Sequence, residues 1–133
     1  MADIARSGTP SLSSLTPGQD KCIVGLLAGE TLVAGDACNI ASTGKVMKAI
    51  GTAANAAAKV RGYAMGGAVL NEAVTLVFDV NVRYGAALTP GADVFLSATA
   101  GGGLLSDAAT AGGTAPIGFV VDATRIRLLQ SRY

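Results

Sequence analysis

Residues 29–35, Gly-Glu-Thr-Leu-Val-Ala-Gly, recur about 56 residues further on as residues 85–91, Gly-Ala-Ala-Leu-Thr-Pro-Gly. At the same offset, residues 62–64 (Gly-Tyr-Ala) correspond to residues 118–120 (Gly-Phe-Val). Further matches pair Cys38 with Val94, Ile40 with Leu96, Val74 with Ile126 and Leu76 with Leu128, the last two with a small shift in register. We therefore predict a single domain, residues 15–133, built from two repeats at about residues 23–78 and 79–130.

The repeated glycines predict tight turns. Thr89-Pro90-Gly91-Ala92 has the pattern of a type II turn, in which Pro presets φ at the second position and Gly accepts a positive φ at the third. Gly35 occupies the same position in the first repeat, and Gly18 occupies it in a third copy of the turn at residues 15–20. These three glycines are predicted to be structural.

Short runs of alternating apolar residues follow the turns and predict strands with one buried face. Residues 53–58 are rich in alanine and are predicted to form a loop that can contain a helical turn. The fold class is all-β, and the architecture is a compact barrel or sandwich of two pseudo-twofold-related β modules. The predicted strands are residues 22–27, 37–41, 45–50, 60–65, 73–80, 93–97, 116–121 and 125–130.

Residues 1–14 lie outside both repeats and are rich in Ser, Thr, Gly and Pro, which predicts a flexible, extended N-terminal arm. Apolar residues interrupt this segment, and they would gain free energy if they were buried on a partner. Ile4, Arg6, Leu12 and Leu15 are therefore the candidates for contact with another protein or a neighbouring subunit.

The composition argues against membrane and nucleic-acid partners. Charged residues make up 14% of the chain, against about 25% in typical soluble proteins, and the net charge is +1 with no basic run. No apolar stretch has the roughly 20 residues of a spanning helix, and the first residues lack the apolar core of a signal peptide. We expect a soluble protein whose weakly charged surface is covered by other chains in an assembly.

The chain also lacks the residues of common catalytic sites. It contains no histidine, so we expect neither an enzyme nor a metal or cofactor site. A carboxylate pair remains an alternative, but Asp36 and Asp93 lie at turn edges, where Asp is commonly solvated or caps the turn. Cys22 and Cys38 lack CxxC spacing and are predicted to be reduced thiols, with Cys38 buried like Val94.

Residues 114–120, Thr-Ala-Pro-Ile-Gly-Phe-Val, together with the Gly-x-x-Leu-x-x-Gly turn resemble the capsid cement or head decoration proteins of tailed bacteriophages. Residues 85–129 carry this resemblance best, and residues 27–77 carry it more loosely. The resemblance implies a structural protein that binds the major capsid protein on the outer surface of an icosahedral head, commonly as a homotrimer, and stabilises contacts between capsomers. It also implies synthesis in the bacterial cytoplasm, a final location in the virion, and no catalytic residues.

Three other functions stay open. A tail or baseplate protein would share the repeat. A biotin-carrier domain is faintly suggested by residues 46–49, Val-Met-Lys-Ala. A carbohydrate-binding module would need exposed aromatic residues, whereas the repeat predicts that Tyr63 and Phe119 belong to the core.

Overall fold

The computed structural model describes residues 3–12 and 21–132, and these residues form an all-β fold, as predicted. One short 3-10 helix, Ala56–Ala58, lies within the alanine-rich loop. The described strands are β1 (Ser11–Leu12), β2 (Cys22–Leu27), β3 (Ala37–Ile40), β4 (Val46–Lys48), β5 (Gly62–Ala64), β6 (Ala73–Val77), β7 (Val80–Arg83), β8 (Asp93–Leu96), β9 (Leu105–Ser106), β10 (Gly118–Val120) and β11 (Arg125–Leu128).

The strands form two antiparallel sheets that pack together as a sandwich. The five-stranded sheet has the order β2-β6-β5-β3-β4, and the six-stranded sheet has the order β1-β7-β11-β10-β8-β9. Apart from β1, the two sheets repeat one pattern, in which the first strand of each module pairs with the fifth and the fourth pairs with the second. The repeat seen in the sequence is therefore also a repeat of topology.

Two clusters of buried residues hold the sandwich together. The larger cluster lies between the sheets and contains Tyr63 and Val77 from one sheet with Val94 and Leu128 from the other. The smaller cluster lies on the other side of the five-stranded sheet. Its members are Ala28, Leu32, Cys38, Val46, Ala64, Ala68, Val74 and Leu76. The five-stranded sheet is thus buried on both faces, because side chains alternate along each strand.

The predicted strand at residues 73–80 ends at Val77 in the structure, and the next strand, β7, was not predicted. Asp79 has φ of 53°, in the left-handed region, and this residue separates β6 in one sheet from β7 in the other. A single extended strand cannot accommodate that backbone conformation. The chain therefore passes from one sheet to the other at this point.

The turn glycines have the predicted conformation where the structure describes them. Gly35 has φ of 95° and Gly91 has φ of 84°. In both turns the backbone closes with a 3.2 Å hydrogen bond, from Asp36 N to Val33 O and from Ala92 N to Thr89 O. Gly18 lies outside the described residues.

Residues 3–12 lie on the domain, so the prediction of an extended arm is not confirmed for this part of the chain. Ile4 N donates to Leu105 O at 2.9 Å, beside β9, and Ser7 N donates to Tyr84 O at 2.8 Å. Further along, β1 pairs with β7, the opposite edge of the same sheet. The segment satisfies backbone groups at both edges of the six-stranded sheet, which is a tertiary role that composition alone does not reveal.

Candidate functional site

The polar groups of the interior serve the fold. Within residues 3–12 and 21–132, no group of three or more His, Cys, Asp or Glu side chains could hold a metal ion. Every buried side-chain nitrogen or oxygen of the described residues has a hydrogen-bond partner. Two kinds of candidate site remain in the described part of the chain, a buried ionic cluster and the exposed apolar surfaces.

The ionic cluster joins the N-terminal segment to both modules. Arg6 Nη2 lies 3.2 Å from Asp36 Oδ1 in the first module, and Arg6 Nε donates to Tyr84 Oη at 3.2 Å in the second. Arg6 Nη2 also donates to Gly103 O at 3.3 Å. Burial alone would lower the pKa of Arg6, but Tyr84 and Asp36 together raise it above its ordinary value. Burial raises the pKa of Tyr84 as well, against the effect of Arg6.

Asp36 is central to this cluster. The residue is only 2% exposed, so of the two roles expected at a turn edge Asp36 caps the turn and is not solvated. Its Oδ2 accepts a 2.8 Å hydrogen bond from Val33 N, which closes the Gly35 turn, while its Oδ1 faces Arg6. A buried carboxylate needs such partners because its desolvation is otherwise costly. The cluster therefore stabilises the fold by joining the N-terminal segment to both modules.

The predicted contact residues of the N-terminal segment take different positions. Ile4 is half-buried and packs against the cluster between the sheets. Arg6 is engaged by Asp36 and Tyr84, so its guanidinium serves the fold. Leu12 lies on β1 opposite Val82. Leu15 lies outside the described residues.

Large apolar side chains are exposed mainly on the first module. Six of the seven such residues in the described chain belong to it, and only Phe119 belongs to the second. The first-module residues and their exposed fractions are Val24 (69%), Leu27 (45%), Val33 (48%), Ile40 (38%), Val69 (53%) and Leu70 (57%). Exposed apolar residues concentrated on one part of a surface are typical of a protein-binding site.

Strand β2 contributes the most exposed of these residues, Val24, and also Leu27. Among the described residues β2 pairs only with β6, so no described strand lies along its other edge. Gly25 has φ of 79° at the irregularity in the pairing, which bends the strand. A groove of about 360 Å³ lies beside β2 and β6 and is lined by Cys22, Met65, Gly66, Gly67, Ala73, Val74, Thr75 and Val77. We call Val24, Leu27 and this groove the β2 surface.

Phe119 lies on the outer face of the six-stranded sheet, so the prediction that it belongs to the core is wrong. It is 43% exposed, whereas its counterpart Tyr63 is fully buried and donates from its hydroxyl to Leu129 O at 2.9 Å. Its neighbours in the sheet are Asp93 and Arg127. The repeat therefore predicted the aromatic residue but not its environment.

An ion-pair network borders Phe119. Arg127 Nη2 lies 2.8 Å from Asp79 Oδ1, and Arg127 Nη1 donates to Asn81 Oδ1 at 3.2 Å. Lys21 Nζ lies 3.8 Å from the other oxygen of Asp79. The hydrogen bond from Arg127 is the main reason that the pKa of Asp79 is lowered. We call Phe119 together with its neighbours Asp93 and Arg127 the Phe119 face.

No family model matches the chain, and neither the curated proteins nor the solved structures include a significant match. Within the described part of the chain, no helix has the length and apolar character needed to cross a membrane.

Proposed function

We propose that this chain is a structural decoration protein that binds the outer surface of an icosahedral phage head and stabilises contacts between neighbouring capsomers. The observation that carries the proposal is the concentration of exposed large apolar side chains on the first module. Such residues are costly to leave in water and are retained where a partner covers them. The sequence resemblance supplies the identity of the partner, the major capsid protein.

The β2 surface is the part of the first module best suited to this contact. Val24 and Leu27 project from a strand whose outer edge is open among the described residues. An open edge can add a strand from another protein, with backbone hydrogen bonds for affinity and side-chain contacts for specificity. Full burial of a Val or Leu side chain contributes about 1.5–3 kcal/mol each. A few such contacts suffice when several copies bind together.

The proposal includes a homotrimer, the state that the resemblance implies, located on the capsid surface after synthesis in the host cytoplasm. Three linked copies of one modest contact bind far more tightly than one, because the second and third contacts form at high effective concentration. The neutral balance of charge, +1 overall, makes this binding depend only weakly on salt. Ile4 and Arg6 contact the domain itself, so we place the capsid contact on the β2 surface rather than on these two residues.

The test is the binding of purified protein to cognate capsids assembled without it. The double variant Val24→Ser/Leu27→Ser should keep its fold, because both residues are exposed, and should lose at least about tenfold in affinity. Thr114→Ala, an exposed residue of the second module, is the matched surface control and should bind like the wild type. Wild-type occupancy by the double variant would refute the β2 surface as the contact. Location on tails rather than heads in electron micrographs would refute the capsid function.

A further inference from the structure

The two modules bury opposite faces against each other. In the first module, Ala37, Tyr63 and Val77 lie side by side across β3, β5 and β6, and all three belong to the cluster between the sheets. In the second module the members of that cluster include Val94 and Val120, which are the counterparts of residues on the other face of the first module. The contact between the modules is therefore heterologous, since two different faces of one repeat meet.

In a heterologous contact the two modules use different faces, so each module also has a face that does not contact the other module. In the second module the unused face is the Phe119 face. Phe119 is the counterpart of Tyr63, and exposed Asp93 is the counterpart of buried Ala37. The outer face of the second module thus corresponds to the face of the first module that is buried against the second module.

The other unused side belongs to the first module, where two loops cover the smaller cluster. Leu32 and Ala68 point into that cluster and are joined by backbone hydrogen bonds of 2.7 and 3.1 Å. The residues that follow them, Val33 and Val69, are 48% and 53% exposed, and Leu70 is 57% exposed. We call Val33, Val69 and Leu70 the loop patch. It lies on the side of the five-stranded sheet away from the second module.

We propose that copies of this chain associate head to tail, with the Phe119 face of one copy packed against the loop patch of the next. In the first module, the face equivalent to the Phe119 face is already covered by the other repeat of the same chain. A second copy of the chain is therefore the partner that this internal packing indicates. Aromatic and Arg side chains, here Phe119 and Arg127, are enriched at the centres of protein interfaces, and an aliphatic patch suits an aromatic ring. This inference does not rest on the capsid proposal, because it concerns contacts between identical chains.

Head-to-tail contacts form a closed ring when the rotation between copies closes and an open chain when it does not. A ring of three copies would supply the homotrimer of the proposed function. It would also leave Val24 and Leu27 of the β2 surface free, because they belong to neither the Phe119 face nor the loop patch.

The experiment uses two variants that each remove one side of the contact, Phe119→Ser and Val69→Ser/Leu70→Ser, with association measured by sedimentation velocity up to about 1 mM. The substituted residues are at least 43% exposed, so circular dichroism should show an unchanged fold. Wild-type protein should form species larger than a dimer, and each variant alone should weaken association at least about tenfold. An equimolar mixture of the two variants should form dimers, because one intact contact remains between them.

Ile40→Ser is the matched control, since Ile40 is exposed but belongs to neither surface, and it should associate like the wild type. Failure of the mixture to form dimers would overturn the head-to-tail arrangement. Wild-type association by Val69→Ser/Leu70→Ser alone would overturn it as well, because a contact between two Phe119 faces predicts that result. Wild-type association by Phe119→Ser, or a monomeric wild-type protein at about 1 mM, would overturn the proposal altogether. These measurements contain no capsids, so their outcome is independent of the test of capsid binding.

Discussion

The ionic cluster around Arg6 should contribute strongly to stability, and Arg6→Ala is the perturbation that tests it. The variant leaves the Asp36 carboxylate, whose side chain is 3% exposed, without its cationic partner at 3.2 Å. It also removes the hydrogen bonds from Arg6 to the Tyr84 hydroxyl and to Gly103 O, which link the N-terminal segment to the second module. The free energy of unfolding should therefore fall.

The magnitude follows from the burial of the pair. Removing one partner of a buried ion pair costs about 3–5 kcal/mol. Asp36 keeps its 2.8 Å hydrogen bond from Val33 N, and the Arg6 side chain is 19% exposed, so we expect the lower part of that range, about 3 kcal/mol. For a domain of this size, the melting temperature should drop by about 10–15 °C.

The assay is thermal and urea denaturation of the wild type, Arg6→Ala, Asp36→Asn and the double variant. The double-mutant cycle should show a coupling energy above about 1 kcal/mol, because the two side chains are in direct contact. Arg125→Ala is the matched control, since its partner Asp122 is solvent-exposed and an exposed pair contributes little. A loss for Arg6→Ala no larger than that for Arg125→Ala, or additive effects in the cycle, would refute the reasoning.

Three further predictions concern the turns, the buried thiol and acid stability. Gly91→Ala should cost about 1 kcal/mol because φ is 84°, and Gly35→Ala should cost more, because its Cβ would also lie 2.6 Å from Pro10 Cγ. Equal losses in urea denaturation would contradict that packing. Cys38→Val should cost less than about 1 kcal/mol, as the second repeat has valine there, and Cys38 should resist thiol reagents because burial raises its pKa to about 12. A loss above about 2 kcal/mol would show that the hydrogen bond from Cys38 Sγ to Asp36 O at 3.3 Å is essential. The pKa of Asp122 is lowered to about 2 by backbone and Arg125 hydrogen bonds, so its stabilisation is present above about pH 4 and lost as the pH falls towards 2. Asp122→Asn should make the melting temperature depend less on pH over that range. An unchanged dependence of the melting temperature on pH would contradict the stabilising role of the Asp122 carboxylate.

The local features of the fold could be predicted because local sequence specifies them. The Pro-Gly pair at residues 90 and 91 favours a type II turn wherever it lies, and alternating burial along β8 and β11 follows from their own residues. Strands β1, β7 and β9 were not predicted, and β1 and β9 have only two residues each, too few for a period to show. They exist because neighbouring backbone groups need partners, which is a long-range condition.

The candidate surfaces were likewise only partly predictable from the sequence. Glycine and alternating apolar residues predicted that both repeats place an aromatic residue on the fourth strand, but they could not show which one is covered. The N-terminal segment had a composition typical of a flexible arm, yet Arg6 meets a carboxylate 30 residues away in sequence and a hydroxyl 78 residues away. Such pairs leave no local pattern in the sequence.

The sequence by itself determined the duplication, the turn positions and the all-β class, because these depend on backbone preferences and on the period of two along a strand. Only the tertiary structure decided which face of each module is buried. Equivalent residues are interchangeable in local propensity, but a heterologous contact covers Tyr63 and leaves Phe119 in solvent. That difference arises from the packing of one sheet on the other, and it makes the outer surfaces of the two modules distinct.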